Sequence, residues 1–126
     1  MIENKRKPYG IWKVGDTEIK LKLKSSNIVK LEDEFKTSLL NLLEVNNNLP
    51  SLSIMIKVVH EAATNFNHGL KLQDVYDLYD AYLDEGGSIM NFYSDVYMEI
   101  YRVSGFFTNS MINNMEENLA NIDDLK

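Results

Sequence analysis

The sequence predicts a mainly α fold, with four to five helices and a short β-hairpin near the N-terminus. Apolar and polar residues alternate up to Lys24, and from Ser26 onward apolar residues recur every three or four positions. The chain has 126 residues, of which 44% are hydrophobic and 25% charged. These values are typical of one globular domain.

The hairpin is predicted over residues 9–24. A run rich in β-forming residues extends from Tyr9 to Val14, and Gly15-Asp16 supplies a two-residue turn. Because an isolated hairpin is marginally stable, its apolar face must be covered, either by the chain's own helices or by another copy. The apolar row comprises Ile19, Leu21 and Leu23, and the opposite row Lys20, Lys22 and Lys24.

Helical spacing of apolar residues follows in four segments. They are predicted at about 26–44, 51–66, 72–85 and 88–104. Thr37-Ser38 can divide the first helix, and the second is apolar on more than one face, which predicts a central position. Residues 9–107 form the predicted domain, preceded by a flexible leader over 1–8 and followed by an amphipathic or loosely ordered tail over 108–126.

Composition excludes several classes of protein. The chain has no cysteine, which excludes disulfides, thiolate catalysis and cysteine-ligated metals. No apolar stretch is long enough to cross a bilayer, so the protein is predicted to be intracellular, with no membrane partner. Residues 1–30 hold eight basic and three acidic residues, a net +5, whereas the other five basic and sixteen acidic residues give −11. An acidic body disfavours nucleic acid as a partner.

Metal binding and catalysis are not predicted. In a zinc HExxH motif, the second histidine follows the first by four positions, but Thr64 stands four residues after His60. His68 comes eight residues after His60, about 12 Å along a helix, which is too far to share an ion. We therefore expect no metal, no cofactor and no enzymatic activity.

Two rows of charged residues can each be interpreted as a solvated surface or as a binding surface. Asp74, Asp77, Asp80 and Asp84 form either a solvated helix face or a docking surface for a basic partner. The lysine row of the hairpin is interpreted as a solvated strand face. The alternatives are pairing with the chain's own acidic helices or with an acidic partner, and binding of nucleic acid.

Aromatic residues are the unusual feature of the composition. There are seven tyrosines and five phenylalanines, and tyrosine is favoured at protein interfaces. The apolar stripe of the predicted helix over 88–104 comprises Ile89, Phe92, Val96, Ile100 and Val103. Tyr93, Tyr97 and Tyr101 are offset from this stripe and are expected to face outward. The predicted partner-binding residues are Tyr76, Tyr79, Tyr82, Tyr93, Tyr97, Tyr101, Phe106 and Phe107.

A string of motifs over about residues 17–107 resembles the small tail assembly chaperones of long-tailed phages and prophages of Gram-positive bacteria. The motifs are Leu49-Pro50-Ser51, Asn67-His68-Gly69, DVYDLYDAYLDEGGS from Asp74 to Ser88, and Ser104-Gly105-Phe106-Phe107. The positions that match the family are Asn67, Gly69, Tyr76, Tyr79, Gly86, Gly87, Gly105, Phe106 and Phe107.

The resemblance implies a non-enzymatic helper in phage tail assembly. Such a chaperone binds the tape measure protein, keeps it soluble in the host cytoplasm, helps to recruit the tail tube (major tail) protein, and is absent from the mature virion. Many such genes also yield a longer, frameshifted product. The residues alone leave two alternatives open: an acidic, antitoxin-like adaptor for a basic protein, and a nucleic-acid binder that uses the hairpin. Self-association through the hairpin edge is a further expectation.

Overall fold

The computed structural model describes residues 6–44 and 48–115 and has a mainly helical fold with an N-terminal hairpin, as predicted. The hairpin strands are β1 (Gly10–Val14) and β2 (Thr17–Leu21). The helices are α1 (Ser25–Phe35), α2 (Leu52–Thr64), α3 (Leu72–Asp84) and α4, a continuous run over 89–103. A 3₁₀ turn at Leu39–Leu42 follows α1, and residues 109–115 are also helical.

The hairpin packs its apolar face on the chain's own helices. Its strands are antiparallel, and Val14 pairs with Thr17 across the two-residue turn. Trp12, Val14, Ile19 and Leu21 point inward, each less than 8% exposed. The main chain beyond β2 is also anchored, because the Leu23 N–H donates to Ser104 Oγ at the end of α4.

The helix predicted over 26–44 divides into two parts. α1 ends at Phe35 and is capped by Lys36, whose φ of 59° places it in the left-handed conformation that closes helices. The 3₁₀ turn then runs over Leu39–Leu42. Helix α1 begins one residue before the predicted start at 26: Lys24 is the N-cap, and its N–H donates to Asn27 Oδ1.

Helix α2 lies at the centre of the fold. Ser51 caps it by accepting a hydrogen bond from the Ile54 N–H, as serine commonly does at this position. Its buried residues cover more than one face and include the carboxylate of Glu61, which accepts from Asn27 Nδ2 and pairs with Lys30. The buried residues are Met55, Ile56, Val58, Val59, Glu61, Ala62 and Ala63.

Helix α4 contains a π-helical segment. It begins as Ile89–Asn91, continues as six π-helical residues over Phe92–Tyr97, and ends as Met98–Val103. The Met98 N–H accordingly donates to the Tyr93 carbonyl, five residues earlier. Arg102 Nη2 donates to the Ser94 carbonyl, a side-chain bond that supports the altered backbone.

The two ends of the chain are described in part. Residues 1–5 of the predicted leader and 116–126 of the predicted tail lie outside the described residues. The rest of the leader makes specific contacts: Arg6 Nη2 donates to the Phe107 carbonyl, and Lys7 pairs with Glu99. None of the described helices is long and apolar enough to cross a membrane.

Candidate functional site

The expectation that the tyrosines of α4 face outward is wrong for two of them. Tyr97 and Tyr101 are fully buried, and they are among the largest fully buried side chains of the protein. Tyr93 is half-buried and packs against the core. In this structure, Tyr97 and Tyr101 therefore have no surface to offer a partner.

The π-helical segment explains how an offset row became buried. In an α-helix, residues five positions apart lie about 140° apart around the axis, since each residue turns about 100°. The wider π turn brings such residues close to the same face. Phe92 and Tyr97 are five residues apart and both fully buried. Both side chains therefore lie on the inward face of α4, whereas α-helical spacing alone would place them on different faces.

The hydroxyls of the three α4 tyrosines hold the segment that follows α1. Tyr93 donates to the Leu43 carbonyl at 2.7 Å, Tyr97 to the Leu42 carbonyl at 2.8 Å, and Tyr101 to the Leu39 carbonyl at 2.7 Å. This segment forms only a short 3₁₀ turn, so many of its carbonyls need partners from outside. The tyrosine row supplies them, which gives it a structural role.

Burial changes the acidity of these hydroxyls. The pKa of Tyr101 is raised to about 12, chiefly because burial disfavours the phenolate. Burial also raises the pKa of Tyr97, and the neighbouring Tyr101, whose oxygen is 3.0 Å away, adds to the effect. Both groups stay neutral hydrogen-bond donors at neutral pH.

The α3 tyrosines lie closer to the surface than this buried pair. Tyr79 is 5% exposed and packs its ring on Phe92, with 4.9 Å between the centroids, whereas Tyr76 and Tyr82 are half-buried. Burial and the charge of Asp95 raise the pKa of Tyr82, and burial and Asp80 raise that of Tyr79. The carboxylates therefore lie near the α3 phenols.

Phe106 and Phe107 are both half-buried. The Phe106 ring lies 4.7 Å from that of Tyr101, and Phe107 accepts the bond from Arg6 through its carbonyl. Each therefore has a role inside the fold and keeps only part of its side chain accessible.

The turn between α3 and α4 exposes an apolar patch that sequence reasoning missed. Leu83 is 39% exposed, Ile89 38% and Met90 61%. The spacing assigned Ile89 to the core stripe of α4, but it lies in the first turn of the helix, beyond the inward-facing part. We call Leu83, Ile89 and Met90 the turn patch.

The turn patch has a defined base and an acidic border. A Cβ on Gly87 would stand 2.5 Å from the Tyr82 ring, so glycine allows this ring to pack against the turn. Tyr82 in turn contacts Phe92 of the core. The side chains of Asp80, Asp84, Glu85 and Asp95 are exposed on α3, on the turn and on α4. An apolar surface with an acidic rim suits an amphipathic helix that carries basic residues.

His60 and Lys20 make contacts within the fold. His60 Nε2 lies 2.8 Å from the Leu70 carbonyl and joins α2 to the start of α3. The Lys20 ammonium lies 4.8 Å from the centre of the Tyr9 ring, a cation–π contact. Across residues 6–44 and 48–115, no three histidine, aspartate or glutamate side chains are grouped so that they could hold a metal ion.

Comparison with known proteins identifies a family. Residues 6–125 match the family described as "Family of unknown function (DUF6096)", and the chain belongs to that family. No curated protein and no solved structure matches the chain.

Proposed function

We propose that this protein is a non-enzymatic phage tail assembly chaperone that binds a helical segment of the tape measure protein. It keeps that protein soluble in the bacterial cytoplasm, helps to bring tail tube protein to it, and leaves before the virion is complete. The motif string over about residues 17–107 supports the family resemblance, and the turn patch is the observation that supports a binding role.

The turn patch provides the chemistry that such a role needs. A tape measure protein is a long helical chain with apolar segments, which aggregate when they are uncovered. Met90 is the most exposed large apolar side chain of the described residues, and methionine adapts its shape to varied apolar partners. Exposed apolar groups that lie close together, rimmed by charge, are typical of an interaction site.

The acidic border supports a second candidate function. Asp77, Asp80 and Asp84 are exposed along α3, and an adaptor for a basic protein would use this row without needing the apolar patch. The two functions make different demands. A chaperone requires the turn patch and tolerates salt, whereas an adaptor that binds through charge alone weakens strongly as salt rises.

The test is co-expression with fragments of the tape measure protein. We expect the double variant Ile89→Ser, Met90→Ser to lose its ability to keep a bound fragment soluble, with affinity reduced roughly thirtyfold or more, as for a hot-spot residue. The matched control is Val29→Ser, Leu40→Ser, which removes two side chains that are 57% and 53% exposed on α1 and the 3₁₀ turn.

The outcomes separate the proposals. Loss of solubility with the patch variant and not with the control supports the chaperone function at this site. Equal performance of both variants excludes the turn patch. If binding persists in both but disappears when Asp77, Asp80 and Asp84 are changed to asparagine, the acidic adaptor is favoured.

A further inference from the structure

Strand β2 has an outer edge that is only partly covered. Among the described residues, β2 has one strand neighbour, β1, which leaves its other edge without a strand. Just beyond β2, α2 closes this edge: the Lys22 N–H donates to the Ala62 carbonyl, and the Lys22 carbonyl accepts from Asn65 Nδ2. The backbone groups of Lys22 therefore point away from β1.

The backbone groups of Lys20 and Glu18, two and four residues before Lys22, also point away from β1. Backbone groups of alternate residues in a strand point to the same edge, so the N–H and C=O groups of Glu18 and Lys20 also point outward. This agrees with the two-residue turn, in which Val14 and Thr17 face each other as the closing pair. The free edge thus offers two donors and two acceptors.

An open cavity lies beside these groups. It has a volume of about 280 Å³ and separates the edge of β2 from the C-terminal end of α2. Its walls are Glu18, Ile19, Lys20, Ala63, Phe66 and Asn67. The backbone of Glu18 and Lys20 borders this cavity, and Phe66, on the opposite wall, is 44% exposed.

Along the edge of β2, acidic residues lie on one side of Ile19 and basic residues on the other. Asp16 and Glu18 precede it, and Lys20 and Lys22 follow it. When two identical strands pair antiparallel about a two-fold axis at Ile19, Glu18 of each copy faces Lys20 of the other. Side chains directly opposite on the same face interact most strongly, and opposite charges there are stabilising.

We propose that the β2 edge pairs with the β2 edge of a second copy of this chain, in antiparallel register about Ile19. Four backbone hydrogen bonds link Glu18 and Lys20 of one copy to Lys20 and Glu18 of the other, and two ion pairs flank them. The interface is isologous, as expected for a closed dimer. Because α2 covers the edge at Lys22, pairing is confined to three residues a copy, and the dimer is weak.

The register follows from charge. An axis moved to Lys20 would place the two Lys20 side chains opposite each other, and an axis moved to Glu18 would do the same with the two glutamates. Like charges directly opposite are destabilising. The register with its two-fold axis at Ile19 is thus favoured over the two registers with the axis at Glu18 or at Lys20.

Charge reversal tests this pairing on the full chain by sedimentation equilibrium from about 10 µM to 1 mM. We expect the wild type to dimerise in this range and Glu18→Lys and Lys20→Glu each to dimerise at least tenfold more weakly. Mixed together, the two variants should form a heterodimer, since each lysine then faces a glutamate. Asp33→Lys, with the same charge change on the exposed side of α1, is the matched control and should dimerise like the wild type.

Each result bears on the proposal. A wild type that stays monomeric up to 1 mM overturns it, as does a dimer that neither single reversal weakens. Failure of the mixed variants to associate, when circular dichroism shows both to be folded, also overturns it. Recovery by mixing supports it, because only direct pairing of the two positions predicts that result. The measurement needs no tape measure protein, so it is independent of the proposed chaperone function.

Discussion

Helices α3 and α4 each carry a row of three tyrosines, and the two rows have different surroundings. On α4, the hydroxyls of Tyr93, Tyr97 and Tyr101 donate to backbone carbonyls of residues 39–43. On α3, the main contacts are between rings, such as Tyr79 with Phe92 and Tyr82 with Trp12. Residue type and spacing are similar, so the neighbouring segment decides which row is buried.

The comparison separates two uses of tyrosine. A buried phenol is stable only where its hydroxyl has a partner, and an irregular segment of backbone is stable only where its carbonyls have donors. The α4 row and the segment after α1 meet both requirements together. The α3 row has the Tyr79 ring in the core and lies beside carboxylates at the surface, so its edges remain available near the turn patch.

The largest expected effect comes from removing a ring of the buried row. Tyr97→Ala should lower the free energy of unfolding by about 3–5 kcal/mol, because it opens a cavity and leaves the Leu42 carbonyl without its donor. Tyr76→Ala, in the half-buried α3 row, should cost about 1 kcal/mol. Urea unfolding followed by circular dichroism measures both. Equal losses would show that the two rows do not differ as described.

Tyr97→Ala with Tyr101→Ala therefore cannot serve as a test of a binding surface. The outward orientation expected from sequence would make this double change harmless to the fold. With both rings fully buried, it should unfold the protein, and any loss of partner binding would follow from that.

Alkaline pH provides the next largest effect. An unfolded tyrosine ionises near pH 10, whereas burial raises the pKa of Tyr101 to about 12. The folded state therefore holds the Tyr101 proton more tightly than the unfolded state does. The resulting contribution to the free energy of unfolding is complete below pH 10 and is lost as the pH rises to about 12. The loss from Tyr101 alone amounts to about 3 kcal/mol.

Phenolate absorbance near 295 nm, recorded together with circular dichroism between pH 9 and 12.5, measures this effect. Tyr101 should ionise together with unfolding. If Tyr97 and Tyr101 ionise near pH 10 with the fold intact, the described burial of the α4 row is incorrect.

Sequence patterns predicted the parts of the fold that depend on local periodicity. The alternation around Ile19 and Leu21 identified the hairpin, and Ser51 and Ser88 marked the starts of α2 and α4. The central position of α2 followed from its apolar residues on more than one face. These features are encoded by neighbouring residues, so they can be derived without knowledge of the tertiary structure.

The rest depended on contacts between distant segments. The π-helical segment of α4 has no recognised residue signature here, and it moved Tyr97 into the core. The carbonyls that Tyr97 and Tyr101 satisfy lie 55 and 62 residues away. Exposure of Ile89 similarly depends on where α4 begins relative to the core. Of the eight predicted binding residues, Tyr79, Tyr97 and Tyr101 are buried and the other five are half-buried.

The smallest effect isolates the hydroxyl from the ring. Tyr101→Phe keeps the packing but removes the side-chain donor to the Leu39 carbonyl, and the loss of one such hydrogen bond typically costs about 0.5–1.5 kcal/mol. Tyr97 cannot replace it without leaving the Leu42 carbonyl, because its hydroxyl has a single hydrogen. The Leu39 N–H keeps its bond to Glu32, so the change removes only one of the bonds that hold this segment in place. Tyr76→Phe is the control, with an expected effect within about 0.5 kcal/mol.

Hydrogen exchange should show the loss locally, as faster exchange of the Leu39 and Leu42 amides relative to those of α2. If Tyr101→Phe is as stable as the wild type, the α4 hydroxyls do not hold the segment after α1, and ring packing alone distinguishes the two rows.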